Sequence, residues 1–457
     1  MRNRLVIAAI LIVWGVLLPA TLPAGAVESP APPEPGSALY RPAEHYPVLD
    51  EIRDVREARQ AVRDSLKAMV DEYYAAQAES AKVARKKLRL DWAGIDKPAS
   101  PEAFTAAFHF PPQAQYATGT CWSFCTTSFL ESEVARATGR HIKLSEMWLV
   151  YWEFVEKARR FVTEFGHSNF GAGSHDHAIR EIYRQYGTVP AEAYSGLREG
   201  QERYDHALLT RELRHYLDWV EENDIWDEAR VIGYVRSVLD HYMGPPPEVV
   251  AYAGRTMTPL EFMRQVLELD PDDYVSVVST LKEPFGTWVL LDVHDNWRRK
   301  QDYLNLPLED FYRVLREALR DGYTVALGGD VSEPGLDGLE DAALIPSWDI
   351  PAEHIDQASR ELRIVNRTTT DDHGVHCVGW LEHGGRDWYL IKDSNRSSRL
   401  GRFEGYYFYT GDYIRLKMLA FMIHRDRLAG LLPQEAPPPP ERFPGAEVWR
   451  EMQAEED

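Results

Sequence analysis

Only three cysteines occur in 457 residues, too few for a disulfide framework. Positive charge is also in deficit: 51 Lys and Arg stand against 72 Asp and Glu, a formal net charge of −21. That balance argues against nucleic acid and against anionic membrane surfaces as partners. A soluble acidic surface is the simpler account of it. Beyond the N-terminus no apolar stretch reaches the length of a membrane span. Ligand-type residues at metal spacing are scarce as well. His175-Asp176-His177 has no Cys or further His at ligand spacing nearby and reads as a helix start, so no metal is expected. Asp270-Pro271-Asp272-Asp273 lacks the Gly and terminal Glu of a calcium loop and reads as a turn. Nothing implies an organic cofactor.

What is present begins with an export signal. Arg2 and Arg4 precede an apolar run from Leu5 to Leu18, and Ala24-Gly25-Ala26 offers a small-residue cleavage site. The expectation is a signal peptide over 1–26 and a periplasmic or extracellular mature protein that is off the membrane once cleaved. Residues 27–44 form a Pro-rich linker. Residues 45–91 are charged and Ala-rich, with Val55, Ala58, Val62, Leu66, Val70 and Tyr73-Tyr74 at helical spacing. This helical extension is either a pro-segment or a helix packed on the body. The main body, 92–432, carries a helical insertion at about 200–270. It is helix-rich in its first half and strand-rich in its second, with strands expected at Tyr274–Val278 and Thr324–Gly328 and a helix from about Pro307 to Asp321. Residues 330–360 read as irregular. The tail, 433–457, is Pro-rich and acidic. The class is α+β, with a helical lobe, an antiparallel sheet or barrel lobe, and a cleft between them.

The chain is organised around Gln115-Tyr116-Ala117-Thr118-Gly119-Thr120-Cys121-Trp122-Ser123-Phe124. Turn residues run into an apolar-periodic segment, which predicts a helix from Cys121 to Thr138. A sulfur in the first turn of a helix sits where unpaired N–H groups and the dipole favour negative charge. Gln115 is placed to donate a side-chain N–H to an oxyanion, beside the backbone N–H of Cys121. Glu131, Glu133 and Arg136 read as the solvated face of that helix. A strand starting at His373 and a second one, Trp388 to Lys392, ending at Asp393, supply a base and an orienting carboxylate. Cys125 and Cys377 are expected as two buried thiols, with a bond between them as the alternative. His376 reads as a partly exposed strand residue.

Gln-x5-Cys-Trp-Ser-Phe, His-Gly-Val-x-x-Val-Gly-Trp and Tyr-Leu-Ile-Lys-x-Ser, in this order, resemble the papain superfamily. Leu144-Ser145-Glu146-Met147-Trp148, Gly328-Gly329-Asp330-Val331 and Thr369-Thr370-Asp371-Asp372-His373 are similar to its bleomycin hydrolase/aminopeptidase C branch. The resemblance implies a papain-like two-lobed fold and a cysteine peptidase acting on peptides or proteins. Cys121 would be the nucleophile, His373 the base, Asp393 the orienting group and Gln115 part of the oxyanion hole. It further implies that the Gly-rich segment with Gly171 and Gly173 holds the substrate backbone, and it leaves room for a homo-oligomer. One departure stands out. The family has Asn within Lys-Asn-Ser-Trp-Gly where this chain has Lys392-Asp393-Ser394-Asn395-Arg396. A carboxylate stabilises an imidazolium more than an amide does, while the missing Trp would admit water. Two other readings share these residues: transglutaminase-like or amidase acyl transfer on the same triad, and a papain-like body that binds without turnover.

Overall fold

The computed structural model describes residue 36 and residues 40–439. The expected signal peptide, most of the linker and the end of the acidic tail lie outside the described residues. The chain divides into two units, 1–86 and 87–457. The first holds one helix, Pro47–Ala84, which buries no residue. Its surface is laced by pairs four residues apart, such as Gln60 with Asp64 and Lys67 with Asp71, the spacing that supports an exposed helix.

The second unit is built around the helix Cys121–Thr138. Every residue from Trp122 to Ala135 is buried, so this helix runs through the interior. It ends at Gly139, which supplies the left-handed φ of 70° that closes it. On one side lie helices Glu146–Thr163, His177–Tyr186, Ala207–Glu222 and Glu228–Met243. Trp148, Leu149, Phe154, Leu213, Val235 and Leu239 form their shared core. On the other side is a sheet of eleven strands. Its central neighbours, in order, are Tyr274–Val278, Met418–His424, Val325–Gly329, His373–His383, Arg386–Lys392 and Tyr406–Thr410. All of these pairs are antiparallel. Helix Leu308–Arg320 joins the sheet's own core, with Phe311, Leu315, Tyr389 and Phe421. The α+β two-lobed expectation therefore holds. Among the described residues no helix is long and apolar enough to cross a membrane.

Several local expectations need correction. The insertion is helical at 207–222 and 228–243 but also contains a hairpin, Val250–Tyr252 with Arg255–Met257. The segment 330–360 is not irregular throughout: it holds two short strands and leads into a helix, Gln357–Val365. Glu131 and Glu133 are buried, not solvated. Glu131 accepts from Lys143 Nζ at 2.7 Å and from the Leu144 N–H, and Glu133 pairs with Arg136. His376 is fully buried, with Nδ1 2.8 Å from Ser128 Oγ. In each case the polar end of a buried side chain found a partner, and periodicity alone does not show that. The three thiols are free, and Cys125 and Cys377 are buried.

Candidate active site

Thr120 is buried and caps the central helix through its backbone carbonyl, which accepts from Ser123 N–H at 2.9 Å. Cys121 follows as the first helical residue and is half-buried, unlike the other two thiols. The helix start is fixed from two directions. Trp122 Nε1 donates to the Ala172 carbonyl at 3.0 Å. A Cβ added at Gly374 would lie 3.4 Å from Trp122 Cα and from Cys125 Cβ, so glycine there lets helix and strand approach closely. Gly374 follows His373, and the close approach brings the imidazole to Cys121.

His373 is buried, and its Nε2 lies 2.7 Å from Asp393 Oδ1. Asp393 comes one residue after its strand and is itself buried. The same oxygen accepts from the Asn395 N–H at 2.7 Å, and the Asp393 N–H donates to the Gly405 carbonyl. With Nε2 on Asp393, Nδ1 is the ring nitrogen left for Cys121. Burial opposes the charged ring, but Asp393 and then Cys121 outweigh it and hold the imidazole well above its usual range.

Gln115 is anchored by the residue after the aspartate. Its N–H donates to the Ser394 carbonyl at 3.0 Å, and Ser394 Oγ donates to Gln115 Oε1 at 2.8 Å. Gln115 Nε2 gives one hydrogen to the Thr118 carbonyl at 2.8 Å, which leaves its second hydrogen for another acceptor. Tyr116 takes a left-handed φ of 51° to make this turn, an uncommon choice for an aromatic residue. Cys121, His373, Asp393 and Gln115 thus share one site.

The glycine segment is held by a buried lysine. Lys157, almost fully buried, donates to the carbonyls of Gly171 and Gly173 and holds them inward. Burial lowers this ammonium to about 8. A Cβ at Gly173 would lie 2.3 Å from Asp295 Oδ2, so Asp295 covers that glycine. The wall of the cleft beside Cys121 includes Ser174, His175 and Asp295. Sequence reasoning placed Lys157 on a helix like that of the bleomycin hydrolase branch without giving it a role, and missed Asp295 and Glu153. Glu153 is buried and pairs with Arg298 Nη2 at 2.5 Å, while Ser174 Oγ and Trp297 Nε1 donate to it. Two of its partners lie more than 140 residues away in sequence, so no local pattern reveals it. His175-Asp176-His177 was noticed, and Asp176 does cap the helix that starts at His177. The sequence did not show that His175 reaches the cleft, nor that Tyr303 Oη meets His175 Nδ1 and His177 Nδ1 at 2.5 and 2.8 Å.

The helical lobe, the sheet lobe and the cleft between them make a papain-like fold. The model of the Peptidase C1-like family matches residues 241–374. Aminopeptidase G of Lactobacillus delbrueckii subsp. lactis is 24% identical over 260 residues, 48% of this chain and 58% of the relative. Aminopeptidase W of the same organism is 20% identical over 351 residues, 66% of this chain and 78% of the relative. Cysteine proteinase 1, mitochondrial, of Saccharomyces cerevisiae (strain JAY291) is 21% identical over 286 residues, covering 53% and 59%. The chain thus spans somewhat over half the length of several of the curated relatives it matches. The crystal structure of PepW from Lactobacillus rhamnosis superposes with a TM-score of 0.55 at 16% identity, over 73% of this chain and 84% of that one; this likeness is one of fold.

Proposed function

We propose that the chain is an exported cysteine peptidase. The observation that carries this reading is the line Cys121–His373–Asp393 at the start of the central helix, with Asp393 2.7 Å from the imidazole and Gln115 held beside it. Cys121 sulfur attacks the peptide carbonyl carbon, and its proton resides on His373 Nδ1. The oxyanion faces the Cys121 N–H and the free hydrogen of Gln115 Nε2. His373 gives the proton to the leaving amine, and water then cleaves the thioester with His373 as base. Peptides as substrates agree with the names of the relatives, aminopeptidases and a cysteine proteinase. Export rests on residues 1–26.

The test is labelling with a thiol-directed epoxide peptidase inhibitor, followed by peptide mapping. Modification at Cys121 that disappears in His373→Ala supports the reading. A folded protein that resists modification and cleaves none of a broad peptide panel would end it. Release of product that requires an added amine would point to acyl transfer to amines instead.

Two variants refine the assignment. Gln115→Ala is expected to lower kcat by about 10²–10³-fold with KM little changed, the cost of one oxyanion donor; steady-state kinetics would show it. Asp393→Ala removes the main group that raises His373. The imidazolium would then deprotonate at lower pH, so the alkaline limb of the kcat/KM profile moves down in pH and the rate falls by about 10²–10⁴-fold. An unmoved alkaline limb would detach Asp393 from the mechanism.

A further inference from the structure

The helix Pro47–Ala84 is 38 residues long and buries none of them, although most of the stability of a protein helix comes from packing an apolar face. Its sequence has such a face. Val48, Val55, Val62, Met69, Ala76 and Val83 recur at heptad spacing. Ile52, Arg59, Leu66, Tyr73 and Ser80 form the second column of the same repeat. Only Arg59 and Ser80 break the apolar run of these two columns. Val62 and Leu66, in the middle of the stripe, are 60% and 56% exposed. The opposite face carries Asp50, Glu57, Asp64 and Asp71, again at heptad spacing. Ion pairs within the helix lie on that side too: Arg53 with Asp50 at 2.8 Å, and Lys67 with Asp71.

The width of the stripe indicates what covers it. A helix lying on a globular body shows a broad apolar face, whereas a stripe two columns wide is the seam of a coiled coil. The flanking columns here are mostly polar: one holds Glu51, Ser65, Glu72 and Glu79, the other Arg56, Arg63 and Gln77. Every other α-helix among the described residues buries at least one of its residues. A second copy of the chain, by contrast, offers the same open seam. The size fits, since the two seam columns and their flanks amount to about 22 residues a side, against roughly 20–30 in a stable interface. The charges fit as well. In a parallel pair Glu51 of one copy faces Arg56 of the second copy across the seam. Arg59 would lay its stem along the seam and keep its guanidinium in water, which the open edge of a two-stranded seam allows.

We propose that this helix pairs with the same helix of a second copy as a parallel, two-stranded coiled coil, which joins two molecules through their N-terminal units. The pairing stands apart from the peptidase reading and from any contact made by the body that carries Cys121.

Sedimentation equilibrium of the full chain tests this and should show a monomer–dimer equilibrium at micromolar concentration. Val62→Asp with Leu66→Asp is expected to raise the dissociation constant by about a hundredfold or more, because each copy loses two covered apolar side chains. Asp64→Ala with Asp71→Ala, on the opposite face, should leave it nearly unchanged. Acids in the seam could also unwind the helix, so a second variant strengthens the seam instead. Arg59→Leu keeps the helix propensity and should tighten the pair by about tenfold or more. Arg56→Glu sets acid against acid and should weaken the pair, and Glu51→Arg added to it should restore it. A wild-type chain that stays monomeric throughout the micromolar range would overturn the inference. So would a dimer that neither the seam aspartates nor Arg59→Leu alters, which would put the contact on another surface. A charge swap that fails to restore the pair would overturn the parallel order.

Discussion

Cys121→Ser is expected to lower kcat/KM by about 10⁴-fold or more, with the fold intact. The reasoning is chemical. A serine hydroxyl holds its proton far more tightly than a thiol, so the ready-made anion that a thiol can supply is lost. Removing one member of such a group costs nearly as much as removing all of it. The change should also be mild structurally, since Cys121 is half-buried at a helix start and serine differs by one atom. Turnover of a peptide amide, with circular dichroism to verify folding, checks this. A variant within tenfold of wild type would mean that the nucleophile lies elsewhere.

The largest effect on stability is expected from Arg298→Ala. Glu153 is buried, and Arg298 reaches both of its carboxylate oxygens, at 2.8 and 2.5 Å. Burial raises the carboxyl, but Arg298 and further partners outweigh it and hold it down to about 2. Removing the guanidinium leaves a buried charge, at a cost of about 3–5 kcal/mol. Denaturant unfolding would measure it, and a loss below about 1 kcal/mol would refute it. The sign with pH follows. A carboxyl lowered on folding contributes stability above the ordinary carboxylate range, and the contribution is lost as pH falls toward 2. The wild type should therefore lose stability in acid more steeply than Arg298→Ala does. Trp297 and Arg298 also anchor the segment that bears Asp295, so the variant should weaken the cleft wall and raise KM.

The central helix and its flanking strands were legible because their signals are local. Turn residues before Cys121, apolar period after it and strand alternation around His373 each occupy about ten residues. Helix Leu308–Arg320 and strand Val325–Gly329 were legible for the same reason. What was not legible depends on partners distant in sequence. Glu131 looks solvated until Lys143 and the Leu144 N–H are brought to it. His376 looks exposed until Ser128 meets it from 248 residues away. The contacts of the glycine segment were not legible either: Lys157 donates to the carbonyls of Gly171 and Gly173, and Asp295 covers Gly173. The acidic character of the cleft comes from residues 295, 371 and 372, which only the fold gathers.

The three sulfurs give the molecule an internal standard. Burial pushes the thiols of Cys125 and Cys377 well above their ordinary value, and neither is accessible. Only the half-buried sulfur at the cleft is open to a reagent. One equivalent of a simple thiol reagent should therefore count folded molecules, and one equivalent of an epoxide inhibitor should count competent ones. The ratio of the two titres gives the active fraction of any preparation, and denaturation should release two further equivalents of thiol.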